Sequence, residues 1–167
     1  LYKRDITDED ILKYDIGYCD SGLYSNRIII PSYDSDGKLN FFVGRDFYNN
    51  KMKYRNSTTT KDIVGFDLFI NWDEPIILCE GVFDAMAFKR NAIPLFGKTV
   101  MDTLMKKIIE SRVKTLYLAL DKDVSNSSGL INLFQSCVPI GSHRSIYSAP
   151  IIALTYDVKV LFNVAVN

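Results

Sequence analysis

The sequence predicts an α/β fold: a Rossmann-like parallel sheet flanked by helices, preceded by a smaller α+β unit. Three observations predict it. After Pro75, short apolar runs at Ile76 to Cys79, Ile93 to Phe96 and Thr115 to Leu120 have the length and β-branched content of buried strands. Between the last two, Val100, Met101, Leu104, Met105, Ile108 and Ile109 recur at the helical period. The connections are short, which implies right-handed crossovers and strands running parallel.

Composition narrows the classes. The chain has 167 residues and 47% hydrophobic content, enough for a core. Lys plus Arg and Asp plus Glu number 20 each, so any electrostatic selectivity is local. Cys19, Cys79 and Cys137 are widely spaced and form no CxxC, which argues against a disulfide framework and against zinc. A reducing, cytoplasmic setting is expected, and no apolar run is uninterrupted enough for a membrane span. The first residue is Leu rather than Met, from which a fragment is expected.

Elements follow in order. Thr7 before Asp8, Glu9 and Asp10 predicts an N-cap and a helix of two turns with Ile11, Leu12 and Tyr14 as its apolar face. Arg27 to Tyr33 and Leu39 to Val43, joined by Asp34 to Gly37, predict a hairpin, and Pro31 places an edge or a bulge in its first strand. Arg45 to Lys61 carries Arg45, Lys51, Lys53, Arg55 and Lys61 against Asp46 alone, with Phe47, Tyr48 and Tyr54 interleaved. Two readings stay open for it: a solvated, loop-rich surface, or a face that neutralises phosphates and stacks bases. After the strand at Ile76 to Cys79 a helix is expected over Val82 to Arg90. Beyond Asp123 only Arg144, Asp157 and Lys159 are charged, so residues 124–167 read as an atypical low-charge tail.

Candidate chemistry lies where two strands stop. Glu80 follows the first, with Asp84 one helical turn on, and Asp121 and Asp123 follow the third. In a parallel sheet both carboxyl ends share one rim. Grouped carboxylates repel one another, by about 1 kcal/mol per pair at 4 Å in water and more near a protein surface, unless a cation offsets them. The donors are all oxygen, which favours Mg²⁺ or Mn²⁺ over zinc and points to phosphoryl or nucleotidyl transfer. Acids at a helix start commonly serve as caps and dipole partners, which is the ordinary reading of Glu80 and Asp84 alone; Asp121 and Asp123 on the same frame are what favour a metal site.

Two segments, LCEGVFDAMA at 78–87 and LALDKD at 118–123, resemble the TOPRIM signature of bacterial-type primases, topoisomerases and some nucleases. Upstream, ITDEDILKYDIGYC, NRIIIPSYDSDGKLNFFVGRDF and KYRNSTTTKDIVGFDLF resemble, in order, the segments that precede TOPRIM in primases. The likeness runs from Arg4 to Asp123 and is to the bacterial-type, DnaG-like DNA primases, of a phage-like kind. It implies that residues 1–73 are the end of the primase N-terminal core subdomain and 74–123 the first part of TOPRIM. Residues 124–167 would be an incomplete or non-native end: Val124-Ser125 departs from the family's small residue and Gly, and Asp157 stands alone where a further acidic pair is expected.

By this resemblance the activity is metal-dependent RNA-primer synthesis on single-stranded DNA from ribonucleoside triphosphates. Glu80 would be general base or metal-adjacent acid, and Asp84, Asp121 and Asp123 metal ligands. Arg27, Arg45, Lys53, Tyr54, Asn56 and Lys61 match positions that contact nucleotide or template, with Tyr54 equally assignable to core. A zinc module and the contact with the replicative helicase would lie outside this stretch, so activity is expected to need them in trans. A TOPRIM nuclease or topoisomerase-like enzyme, and a non-catalytic nucleic-acid-binding remnant, are the alternatives.

Overall fold

The computed structural model describes residues 1–48 and 52–119, and the backbone of 157–160. Two four-stranded sheets organise them. The first is antiparallel, in the order β1 (Gly17–Cys19), β2 (Arg27–Tyr33), β3 (Leu39–Asp46) and β4 (Tyr54–Asn56). The second is parallel, in the order β6 (Ala92–Pro94), β5 (Ile76–Cys79), β7 (Thr115–Ala119) and β8 (Asp157–Val160). The predicted α/β class with a smaller α+β unit ahead of it is what the chain forms.

Ahead of the first sheet, α1 (Asp8–Lys13) starts as expected, with Thr7 and Asp10 in a reciprocal capping box. Its apolar face is narrower than the sequence suggests. Tyr14 is buried and Ile11 partly so, but Leu12 is 81% exposed, because a two-turn helix presents only one stripe to the core. Asp10 is buried instead, where its carboxylate accepts from the Thr7 amide and hydroxyl and pairs with Lys89.

The β2–β3 hairpin forms over the predicted residues, and Gly37 takes the left-handed conformation (φ 78°) in its turn. Pro31 pairs with Phe42 where β1 has already ended and one residue before a register shift at Ser32/Tyr33, so both expectations for it are met. The loop-rich reading of 45–61 needs correction at two places. Arg45 and Asp46 complete β3, and Tyr54–Asn56 form β4 against Val43 to Arg45.

In the parallel sheet β5 matches its predicted bounds, and the other elements are shorter. Helix α2 spans Val82–Ala87 and stops before Lys89, whose φ of 51° no helix accommodates. Strand β6 stops at Pro94: the Leu95 amide still donates to the Cys79 carbonyl, but Phe96 turns left-handed (φ 53°). Helix α3 spans Asp102–Glu110, starting later than Val100; its first turn is capped from a distance by Asp62, whose carboxylate accepts from the Thr103 amide at 2.8 Å. Leu120, the predicted end of the third strand, lies outside the described residues. Among the described residues of the tail, β8 runs parallel to β7, pairing Asp157 with Thr115 and Val160 with Leu118.

Two apolar clusters hold the sheets. One packs Ile6, Tyr14, Ile30, Phe41 and Phe66 against Val82, Phe83, Met86 and Phe96, joining the antiparallel sheet to α2. The other packs Ile76, Leu78, Ile93 and Leu116 against Leu104 and Ile108 of α3. Gly65 sits where the two halves meet. A Cβ there would lie 2.5 Å from the Pro94 carbonyl oxygen.

Candidate active site

The order β6-β5-β7 places neighbours on both sides of β5, so the chain reverses direction across the sheet between β5 and β7. Such a switch point opens a crevice beyond the carboxyl ends of the strands. Glu80 and Gly81 leave β5 at that point, and Gly81 is the N-cap of α2. Asp84 leans back from the first turn of the helix, and its Oδ2 comes within 3.1 Å of where a Gly81 Cβ would stand. The two carboxylates thereby share one rim. Burial pushes the Cys79 thiol just behind them well above its ordinary pKa, and the Asp84 charge adds to this.

A cleft of about 460 Å³ opens here, between the two sheets. Glu80, Gly81 and Asp84 line one wall, Val43, Tyr54 and Asn56 of β3 and β4 the other, and Phe96 and Gly97 lie on it also. The Asn56 Oδ1 is buried and makes no hydrogen bond among the described residues.

The sequence-predicted residues fall into four groups. Glu80, Asp84, Tyr54 and Asn56 come together on the cleft. Lys61 lies at its wall, donating from Nζ to the Phe96 carbonyl at 2.7 Å, and Arg45 stands over the Tyr54 ring at 4.5 Å. Lys53 is exposed at the entry to β4, and Arg27 is buried away from the cleft, its guanidinium donating to the Gly44 and Met52 carbonyls at 3.4 and 3.1 Å. Asp121 and Asp123 lie outside the described residues; β7 runs up to Ala119, paired with Cys79, toward the rim that Glu80 occupies. Asp157 pairs with the first residue of β7, at the opposite end of the sheet.

Sequence reasoning missed Arg4 and Phe83 as lining residues. The Arg4 guanidinium sits 4.9 Å over the Phe83 ring, on the cleft. Phe83 is buried and reads as core from its apolar neighbours, while Arg4 lies in a three-residue 3₁₀ turn, Tyr2–Arg4, too short to give a pattern. No group of three or more metal-ligating side chains occurs among the described residues.

No protein-family profile matches the chain. It is 30% identical over 124 residues to a DNA primase of Mycoplasma genitalium, a match covering 67% of this chain and 20% of the primase. An uncharacterised protein of the same bacterium is 27% identical over 144 residues, covering 80% of this chain and 65% of that protein. Among solved structures, the Escherichia coli primase catalytic core superposes with a TM-score of 0.72 at 15% identity, covering 98% of this chain and 63% of that one. A DnaG primase catalytic domain bound to single-stranded DNA superposes with a TM-score of 0.73 at 16% identity, covering 98% and 64%. The fold is that of primase catalytic cores, and the chain spans less than two thirds of each of these relatives.

Proposed function

Because the chain belongs to the bacterial-type, DnaG-like DNA primases, as a piece matching part of their catalytic core, we propose that it serves metal-dependent synthesis of RNA primers on single-stranded DNA. The observation that supports this best is the cleft itself. It sets the Glu80 and Asp84 carboxylates across from Tyr54 and Asn56, acid facing a stacking ring and an amide.

The donor set fits a hard divalent cation. Its oxygens are carboxylate, the Asp84 side chain is cradled over a glycine, and no thiolate or imidazole lines the cleft among the described residues. Asp84, with Asp121 and Asp123, would hold Mg²⁺ or Mn²⁺, and Glu80 would stand beside it. When bound, the ion lowers the charge cost of in-line displacement at phosphorus. Glu80 would accept the proton of the primer 3′-hydroxyl as its oxygen bonds to the α-phosphorus of the incoming ribonucleoside triphosphate, and pyrophosphate leaves. Tyr54, backed by Arg45, offers a face to a base, and the buried Asn56 Oδ1 an acceptor for a base or sugar donor. Lys53 and Lys61 supply positive charge for phosphates at the mouth, and Arg27 supports the strand end from behind. The parallel unit from residue 74 would be the first part of a TOPRIM domain, and residues 1–73 the end of the preceding subdomain.

Primer synthesis on single-stranded DNA with Mg²⁺ and ribonucleotides tests the reading, with the zinc-binding and helicase modules of a related primase supplied in trans. Glu80→Gln is expected to cost about 10²-fold or more. Unaltered activity in that variant would end the catalytic assignment. Independently, Mn²⁺ affinity should fall in Asp84→Asn and Asp121→Asn, and an unchanged affinity in both would remove the metal site.

A further inference from the structure

One face of the antiparallel sheet continues the cleft wall outward. Directly paired residues of antiparallel strands project to the same side. Tyr18 pairs with Ile28, Ile28 with Arg45, and Arg45 with Tyr54, so these four form a single row across all four strands. Val43 and Asn56, paired one step along, lie on the same face and line the cleft. The parallel half covers this face at Ile30, Phe41 and Val43, all buried. Beyond Arg45 the described residues of the parallel half no longer cover it.

What stands there is aromatic and exposed. Phe47 stands just past the end of β3; its amide donates to the Asn26 carbonyl, and its ring meets that of Tyr18, which brings it to the same side. The Tyr18 and Phe47 rings lie edge to face with centroids 6.0 Å apart, and Phe47 and Tyr48 at 5.0 Å. Tyr18, Phe47 and Tyr48 are 52%, 57% and 64% exposed, which makes this a contiguous aromatic patch rather than scattered surface residues. Its charge setting is basic on the cleft side, with Arg45 over Tyr54 and Lys53 exposed beside it. Asp20 is the acid near Tyr18, and on the opposite face Arg27 and Asp46 stand across from each other and add no net charge.

We propose that Tyr18, Phe47 and Tyr48 form a base-stacking platform that holds single-stranded nucleic acid as it passes between the cleft and solvent across this sheet face. The occupant follows from the chemistry. Rings at intervals of 5–6 Å beside a guanidinium suit successive unpaired bases and their phosphates, and four-stranded sheets with exposed aromatic rings bind single strands in this way. A duplex offers no free base faces to such rings. The proposal rests on the cleft being a nucleic-acid site, and adds residues to it that the catalytic chemistry does not require.

Fluorescence anisotropy of the 167-residue chain with labelled oligothymidine, oligouridine and duplex DNA tests it. Tyr18→Ala/Phe47→Ala should weaken single-strand binding by about tenfold or more, at the lower end of what one stacked base contributes. Phe47→Tyr should restore it, and duplex binding should not change. Because the rings carry no charge, the salt dependence of binding should be the same in Phe47→Ala as in the parent, whereas Arg45→Gln should make it shallower. The oligothymidine and oligouridine arms show whether the strand held is DNA or RNA. Full affinity in the double variant overturns the platform, as does full affinity in Phe47→Leu, which keeps an apolar group but has no ring to stack. Absence of any single-strand binding by the parent overturns it too, and Mn²⁺ binding that Asp84→Asn abolishes would then still stand for the cleft.

Discussion

Gly65→Ala is the sharpest structural perturbation available. The residue lies between Val64 of one apolar cluster and Phe66 of the other, with an unstrained backbone that alanine can adopt. An added Cβ would stand 2.5 Å from the Pro94 carbonyl oxygen, 2.8 Å from the Phe96 ring and 2.9 Å from the Pro94 ring. None of these is the loose end of a flexible side chain. Relief therefore requires β6 and the Phe96 wall to move away from the antiparallel half. Overpacking typically costs about 1–3 kcal/mol, and three simultaneous contacts, two of them with a proline, place this case near about 3 kcal/mol. For a chain of this size that is a fall in Tm of roughly 6–12 °C. Gly17→Ala is the control: nothing lies within 4 Å of its Cβ, and its effect should stay within about 0.5 kcal/mol. Thermal unfolding followed by circular dichroism reads both. Equal melting temperatures for the two variants would refute the close approach on which the cleft wall depends.

Two further outcomes concern titration and reactivity. Burial by itself would raise the Asp10 carboxyl pKa, but the Lys89 ammonium and the Thr7 donors outweigh it and hold the group below its ordinary value. A depressed folded pKa means stability that is present above the unfolded value of about 3.9 and is lost as pH falls through the folded one. Melting temperature should therefore drop below about pH 4, and Lys89→Met should flatten that drop while lowering stability at neutral pH by about 1 kcal/mol, Lys89 being partly exposed; an unchanged pH profile in Lys89→Met would show that the pair is not the cause. Cys79, buried with its thiol pKa raised, should resist a thiol reagent at neutral pH in a Cys19→Ser/Cys137→Ser background until the chain unfolds. Labelling at the native rate of an exposed thiol would place Cys79 elsewhere.

Much of the parallel half is legible from residues alone, because its signals are strong and local. Ile76 to Cys79 is a four-residue run in which every residue is buried, and the Leu104 and Ile108 stripe has one helical solution. The acids at Glu80 and Asp84 follow from that frame. Their partners across the cleft are legible only as composition: β4 is three residues long, shorter than any period, and becomes a strand because β3 supplies its hydrogen bonds. Element ends were overestimated for a related reason. Lys89 and Phe96 are ordinary residues for a helix and a strand, and their left-handed backbones are imposed by tertiary contacts that no local pattern announces. The remote cap of α3 by Asp62 spans 41 positions and is equally silent.

That cap has a mechanical consequence when taken with its neighbour. Lys61 grips the Phe96 carbonyl and Asp62 the Thr103 amide, so two adjacent residues fasten the loop after β4 to two separate segments of the parallel half. The gap between Asn56 and Glu80 is therefore gauged by the length of that loop, much as a spacer sets the opening of a jaw. Lengthening the 57–60 stretch by one residue would change the reach of everything mounted on β4, whereas the same insertion in the turn at 34–38 would be absorbed at the surface.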